Sequence, residues 1–183
     1  MNAQNKDNMV KLIFLSALLL SVQIFSQTTG SRTVTLTLPV VTLMDIEPAG
    51  TIAFNYTAPT EAGNAITVPA SNTTKWINYT SAITASGIAR RITASINQII
   101  PGTDIRIQAA AASGSGGGTL GIPSAQVILT TAAQTIISGI GGAFTGNGAN
   151  NGHQLTITLS NNTYANIAAR TNTPIVITYT ITE

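Results

Sequence analysis

Side chains able to carry acid–base, nucleophilic or metal chemistry are few in this chain and widely spaced. His153 is the single histidine, cysteine is absent, and the carboxylates are Asp7, Asp45, Glu47, Glu61, Asp104 and Glu183. A zinc site needs three or four convergent ligands. A serine nucleophile needs a histidine and an aspartate held beside it. Nothing local, such as a Gly-x-Ser-x-Gly turn, accompanies His153, which reads as a loop or strand-start residue after Gly152. Glycoside hydrolysis needs two carboxyl groups facing each other across a few ångströms. Asp45 and Glu47 are two apart, so in a strand they would share a face and could hold calcium together with backbone carbonyls. Ahead of Pro48 they read instead as solvated loop residues. The expectation is a non-enzyme with no catalytic residue, metal or cofactor.

Binding motifs are equally sparse. Ser113-Gly114-Ser115-Gly116-Gly117-Gly118 has the glycine density of a phosphate loop. Such a loop needs a strand before it, a helix after it and usually a Lys-Ser/Thr pair. Here a strand pattern follows and no lysine is near, so a flexible hairpin loop is expected. A second glycine-rich stretch covers 139–152. Trp76 and Tyr79 are the candidate ligand-binding residues: with Tyr56 they could offer aromatic faces to a sugar, although aromatics in all-β domains mostly pack inside. Arg90-Arg91, the one local charge cluster, reads as a solvated strand entrance, and Lys75 as an edge residue.

The elements that would position these residues are strands. In 32–43, Val34, Leu36, Leu38 and Val40 alternate with Thr33, Thr35 and Thr37, which is the period of a half-buried strand. Pro39 lacks an N–H, so this strand should be an edge or bend there. Ile52, Phe54 and Tyr56 share a face in 51–58, and 74–80 reads as a short aromatic strand. Further strands are marked by Ile92–Ile96, Ile105 with Ile107, Val127 with Leu129, 135–140, and Leu155, Ile157 and Leu159. The last, 174–182, alternates Ile175, Ile177, Tyr179 and Ile181 with Val176, Thr178 and Thr180. One helical turn is expected near 164–169. About nine short strands separated by turns predict an all-β chain, a single antiparallel β-sandwich of Ig-like or pilin-like architecture.

Ahead of the strands, Lys6 and Lys11 precede an apolar run, Leu12–Leu20, extended by Val22, Ile24 and Phe25 and closed by Ser26. That is the three-part pattern of a cleaved secretory leader. Residues 1–26 are read as signal peptide, with Met9 an alternative start, and 27–183 as one domain. The run is too short and too interrupted by Ser16, Ser21 and Gln23 for a membrane span. Hydrophobic residues make up 44% and charged ones only 8%, which argues for a packed core over disorder. The formal net charge is +2 and shrinks further once Lys6, Lys11 and Asp7 leave with the leader. So small a balance excludes an electrostatic nucleic-acid surface.

The mature chain resembles a group of small uncharacterised secreted proteins of flavobacteria and their relatives. The likeness lies in Phe25-Ser26-Gln27, 43–48, 59–63, 76–80 and 146–155; it implies no activity and no site residue. A weaker likeness is to pilin and spore-coat-U-type subunits, which end in an alternating strand with a tyrosine near the terminus, as Tyr179 does here; the cysteine pair common there is missing. The outward strand positions carry Thr, Ser, Asn and Gln in place of edge-protecting charge, which invites pairing with another chain. The expected function is a secreted structural or cell-surface subunit, of fimbrial type, assembling by β-strand addition. The strand to be exchanged is either Val34, Leu36, Leu38 and Val40 or Ile175, Ile177, Tyr179 and Ile181. Expected partners are further copies, other surface subunits and a periplasmic chaperone, with localisation in the periplasm, at the outer surface or outside the cell. The alternative is a carbohydrate- or surface-binding module built on Trp76 and the Gly-rich loops.

Overall fold

The computed structural model describes residues 3–20 and 29–183. It divides into two units, Met1–Thr37 and Leu38–Glu183. In the first, helix α1 spans Ala3–Leu20, over the charged and apolar parts of the expected leader. Among the described residues no helix is long and apolar enough to cross a membrane. The expected cleavage region, Phe25-Ser26-Gln27, lies outside the described residues.

The second unit is all-β and antiparallel. Its strands are β1 (Val41–Glu47), β2 (Asn72–Ala82), β3 (Arg90–Ile96), β4 (Thr103–Ala109), β5 (Gly117–Pro123), β6 (Val127–Ile128), β7 (Gln134–Phe144), β8 (His153–Asn161) and β9 (Ile177–Thr182). A 3₁₀ turn, Tyr164–Asn166, falls where one helical turn was expected. All nine strands join one hydrogen-bonded sheet in the order β6-β4-β8-β2-β7-β3-β9, with β1 added to β2 and β5 to β7. The expected sandwich of separate sheets is therefore a single continuous one.

β2 explains the continuity. One of its edges carries β1 along Trp76–Ala82, while the other pairs β8 up to Ile77 and then β7 at Thr80 and Ser81. The strand thus passes from one half of the sheet to the other. The link after β6 shows that the two halves come together: Leu129 N donates to Ile105 O of β4 at 2.8 Å, and Ile96 N of β3 donates to Thr130 O at 2.9 Å. Adjacent residues can bond to strands so distant in the order only if the sheet folds back on itself.

The alternating strands supply the core. Ile92 and Ala94 of β3, Ile105 and Ile107 of β4, and Leu155 and Ile157 of β8 are buried, with Thr, Ser, Arg and Gln between them more exposed. Ile136, Ile137 and Ile140 of β7 and Ile77 of β2 complete the cluster. Each fully buried Ile or Leu contributes roughly 1.5–3 kcal/mol, the main source of stability in a chain without disulfides.

One expected strand is absent and another begins late. Residues 51–58 form no ladder apart from a bridge between Thr57 and Thr67, although Ile52 and Phe54 pack on the core. Residues 32–40 belong to no strand; the ladder begins at Val41, after Pro39. The period-two signal in 51–58 marked the side that packs on the core, whereas the expected half-buried face of 32–40 is exposed throughout; among the described residues neither segment has a ladder partner.

Candidate functional site

Exposure separates the two candidate exchange strands. Val34 is 87% exposed, Leu36 79%, Leu38 79% and Val40 57%. Among the described residues no backbone–backbone hydrogen bond reaches 30–40. A strictly alternating apolar row thus lies outside every ladder of the described residues. At the other end, Ile177, Tyr179 and Ile181 pair with β3 and are half-buried against the core, as is Ile175 just before the strand.

β9 still has a free side. Asn97 N donates to Val176 O at 3.1 Å and Val176 N to Asn97 Oδ1 at 2.9 Å, so the backbone groups of Val176 face β3. Antiparallel ladders alternate, so those of Thr178, Thr180 and Thr182 do too. The N–H and C=O groups of Ile177, Tyr179 and Ile181 then point to the outer edge. Among the described residues no backbone hydrogen bond meets them there.

Trp76 and Tyr79 do not form a platform. Three residues apart on β2, they sit on opposite faces of the sheet. Trp76 is half-buried between Glu47 of β1 and Gln154 of β8. Tyr79 is buried at 3% exposure, its ring stacked on His153 with centroids 5.8 Å apart. The phenol is a core group whose hydroxyl donates to Leu120 O.

His153 opens β8 and is fully buried. Its Nδ1 faces Ala110 O at 2.8 Å, and Nε2 lies 3.0 Å from Tyr79 Oη and 3.1 Å from Leu120 O. Both ring nitrogens are occupied by structural partners, which ties the start of β8 to β2, β5 and the end of β4. Burial pushes the phenols of Tyr79 and Tyr179 well above their usual value. A raised folded-state value means the stabilisation is complete below the unfolded phenol value, about 10, and is lost as the pH climbs above it. The melting temperature should therefore be flat from about pH 7 to 9 and fall above about pH 10. Tyr79→Phe should make that fall shallower; an unchanged alkaline slope would show that Tyr79 ionisation is not linked to unfolding.

The remaining polar candidates are all positioned by strands, including Asp45 and Glu47, which were expected in a loop. Asp45 and Glu47 lie in β1, not in a solvated loop, and share a face as strand geometry requires. Asp104 is engaged by Arg106 at 3.0 Å and by Asn162 Nδ2 at 2.7 Å. Lys75 is buried in β2, away from any edge, with Nζ donating to Pro48 O and to Gly50 O at 2.8 Å. Arg90 is buried and only Arg91 is solvated. Among the described residues no three His, Cys, Asp or Glu side chains gather to hold a metal. The loop at 113–118 leads into β5 and is fastened to the other glycine-rich stretch through Asn151, whose Oδ1 accepts from Ser115 N and Oγ.

One feature escaped the sequence reading. Asp45 stands directly opposite Asn78 across β1 and β2, Leu43 opposite Thr80, and Thr80 opposite Phe144 of β7. Together with Asn147 these residues line an open cleft. Asn78 is buried, its Nδ2 donates to Asn151 O at 2.7 Å, and its Oδ1 has no hydrogen-bond partner. An unmet buried acceptor costs about 1–3 kcal/mol. Only register could have found it, since a lone asparagine in a strand carries no signal. No family model matches the chain, and no curated protein or solved structure matches it either.

Proposed function

We propose that this is a secreted, non-catalytic structural or cell-surface subunit that assembles by β-strand addition, residues 33–40 of one copy pairing with the outer edge of β9 in the next. The observation that carries this reading is the exposed row Val34, Leu36, Leu38 and Val40 on a segment that belongs to no strand. Apolar side chains alternating on an unpaired backbone are half of a ladder. The free edge of β9 supplies matching chemistry. Its half-buried Ile177, Tyr179 and Ile181 would be covered by the donor's Val and Leu. Its Thr178, Thr180 and Thr182 would continue a row with the donor's Thr33, Thr35 and Thr37, and cross-strand threonine pairs are favourable. Pro39 fits an edge position near the end of such a strand. Export is supported by Lys6 and Lys11 ahead of Leu12–Leu20. The non-catalytic part is supported by the structural engagement of His153, Asp104, Lys75 and Arg90.

The chain has no cysteine of its own, so engineered thiols report without background. A copy carrying Thr35→Cys is mixed with copies carrying Thr178→Cys, Thr180→Cys or Thr182→Cys and oxidised. Interchain dimers are expected with at least one β9 position and not with Thr42→Cys of β1. Light scattering on the exported chain should show oligomers that Leu36→Asp reduces to monomer. A strictly monomeric chain at high concentration would defeat strand addition itself; oligomers cross-linking only through β1 would defeat the choice of edge.

A further inference from the structure

We infer that Asn147 is a site of spontaneous covalent modification, closing on the Gly148 nitrogen to a succinimide that opens to aspartate and isoaspartate, while the same dipeptide at Asn151-Gly152 is held unreactive by the fold. This does not rest on the strand-pairing reading and uses different residues. Asparagine is among the thermolabile residues, and its reaction needs only water. The next residue's backbone nitrogen gives up its proton to hydroxide and attacks Cγ. The N–Cγ bond forms, the Cγ–Nδ2 bond breaks, and Nδ2 leaves as ammonia with a proton from water. Water then opens the ring at either carbonyl. Opening at Cγ gives aspartate; opening at the former main-chain carbonyl gives isoaspartate, whose backbone runs through Cβ. Nothing is oxidised or reduced. Closure is least hindered before glycine, which has no Cβ to crowd the attacking nitrogen.

Two asparagines in the chain precede glycine, Asn147 and Asn151, and the fold treats them oppositely. Asn147 is exposed. Among the described residues its one engaged polar atom is the main-chain O, which accepts from Asn151 Nδ2 at 2.8 Å. No backbone partner there takes the Gly148 N–H, and a Cβ built on Gly148 meets nothing within 4 Å, so the ring has room to form. Asn151 is pinned on all sides. Its Oδ1 accepts from Ser115 N at 2.9 Å and Ser115 Oγ at 3.0 Å, its Nδ2 is spent on Asn147 O, and its main-chain O accepts from Asn78 Nδ2 at 2.7 Å. The nitrogen that would attack, Gly152 N, donates to Ser113 O at 2.9 Å and belongs to a buried residue. To react, Asn151 would have to break this bridge and turn its amide away from Ser115. Conversion at Asn147 replaces a neutral amide by a carboxylate beside the cleft that Asp45 also lines. Isoaspartate also lengthens the loop by a methylene next to the side chain that fastens the two glycine-rich stretches.

The test is peptide mapping, with fragmentation that distinguishes aspartate from isoaspartate, after incubation of the purified full chain in mildly alkaline buffer. In the folded protein Asn147 should convert, adding a more acidic species on anion exchange, while Asn151 stays an amide. In concentrated urea, where the partners of Asn151 are gone, both should convert, so the Asn151 rate relative to Asn147 should rise about tenfold or more on unfolding. Gly148→Ala should slow conversion at Asn147 severalfold, and Asn147→Ser should abolish the acidic species. Three results would overturn the inference: Asn147 remaining an amide in the folded protein whatever happens in urea, Asn151 converting there as fast as Asn147, or the acidic species persisting in Asn147→Ser.

Discussion

Replacing Gly152 by alanine is expected to lower the melting temperature of the all-β unit by about 10 °C or more. Gly152 has φ +76°, and a Cβ built on it would lie 2.1 Å from Ile77 O, 3.1 Å from Thr145 Cβ and 3.2 Å from Asn78 Nδ2. The left-handed conformation alone costs an alanine about 1–2 kcal/mol. The overlap with a backbone carbonyl adds another 1–3 kcal/mol or so, because Ile77 is fully buried and fixed by pairing to both β1 and β8. Gly152 cannot retreat either: its N–H donates to Ser113 O and its C=O accepts from Ser113 N, both at 2.9 Å. Two other glycines separate the contributions. Gly148 has φ +84° with nothing within 4 Å of a built Cβ, so Gly148→Ala should show the conformational cost alone, about 1 kcal/mol. Gly142 has open space and no left-handed backbone, so Gly142→Ala should change stability by no more than about 0.5 kcal/mol. Thermal melts of the three variants decide the matter. Equal losses for Gly152→Ala and Gly148→Ala would mean that the chain at Ile77 yields, contrary to the packing described.

That glycine shows where the amino-acid pattern stops being readable. Alternation located β3, β4, β8 and β9, because each has one face in the core and one toward solvent, and burial follows the same period. β5 was read as a loop because Gly117, Gly118 and Gly121 interrupt any apolar period. In the fold those glycines mark close approach to β7: a Cβ on Gly118 would meet Gly142 O at 2.2 Å, and the register shifts between Gly118 and Leu120. Gly density therefore signalled tight pairing as well as a turn, and composition alone does not distinguish the two. β1 was missed beyond Leu43 for a different reason: Asp45 and Glu47 suggest solvent, and it is β2, thirty residues on, that makes them strand residues. The converse holds for Val34–Val40, where the pattern is a strand's but no partner is supplied within the described residues. The cleft depended on register throughout, since opposing Asp45 to Asn78 requires knowing which residues of two distant strands face each other.

Arg90 carries the other large effect. Arg90→Met should destabilise the all-β unit by about 3 kcal/mol, measured as a shift of the urea midpoint. The guanidinium is 3% exposed; Nη1 donates to Val41 O at 2.6 Å and Ser81 Oγ at 2.9 Å, with Ala82 O at 3.5 Å, and Nη2 lies 3.6 Å from Glu183 Oε1. One side chain at the start of β3 thus fastens the first residue of β1 and the last two of β2. Methionine keeps much of the stem but leaves the Val41 carbonyl and the Ser81 hydroxyl without their donor, and hydrogen bonds from a charged group to such acceptors are among the stronger ones. Arg90→Lys should recover only part of the loss, because an ammonium cannot reproduce the planar fork. The ion pair is a minor contributor: Glu183 is 58% exposed at its side chain, so Glu183→Gln should cost no more than about 0.5 kcal/mol, and less in high salt. The salt dependence separates the two accounts. Bonds to neutral carbonyls barely respond to ionic strength, so the Arg90→Met loss should persist in 1 M salt; a loss that disappears there would transfer the role to Glu183. Adjacent arginines in a strand point to opposite faces, which is why Arg90 and Arg91, alike in sequence, divide so completely between buried staple and solvated charge.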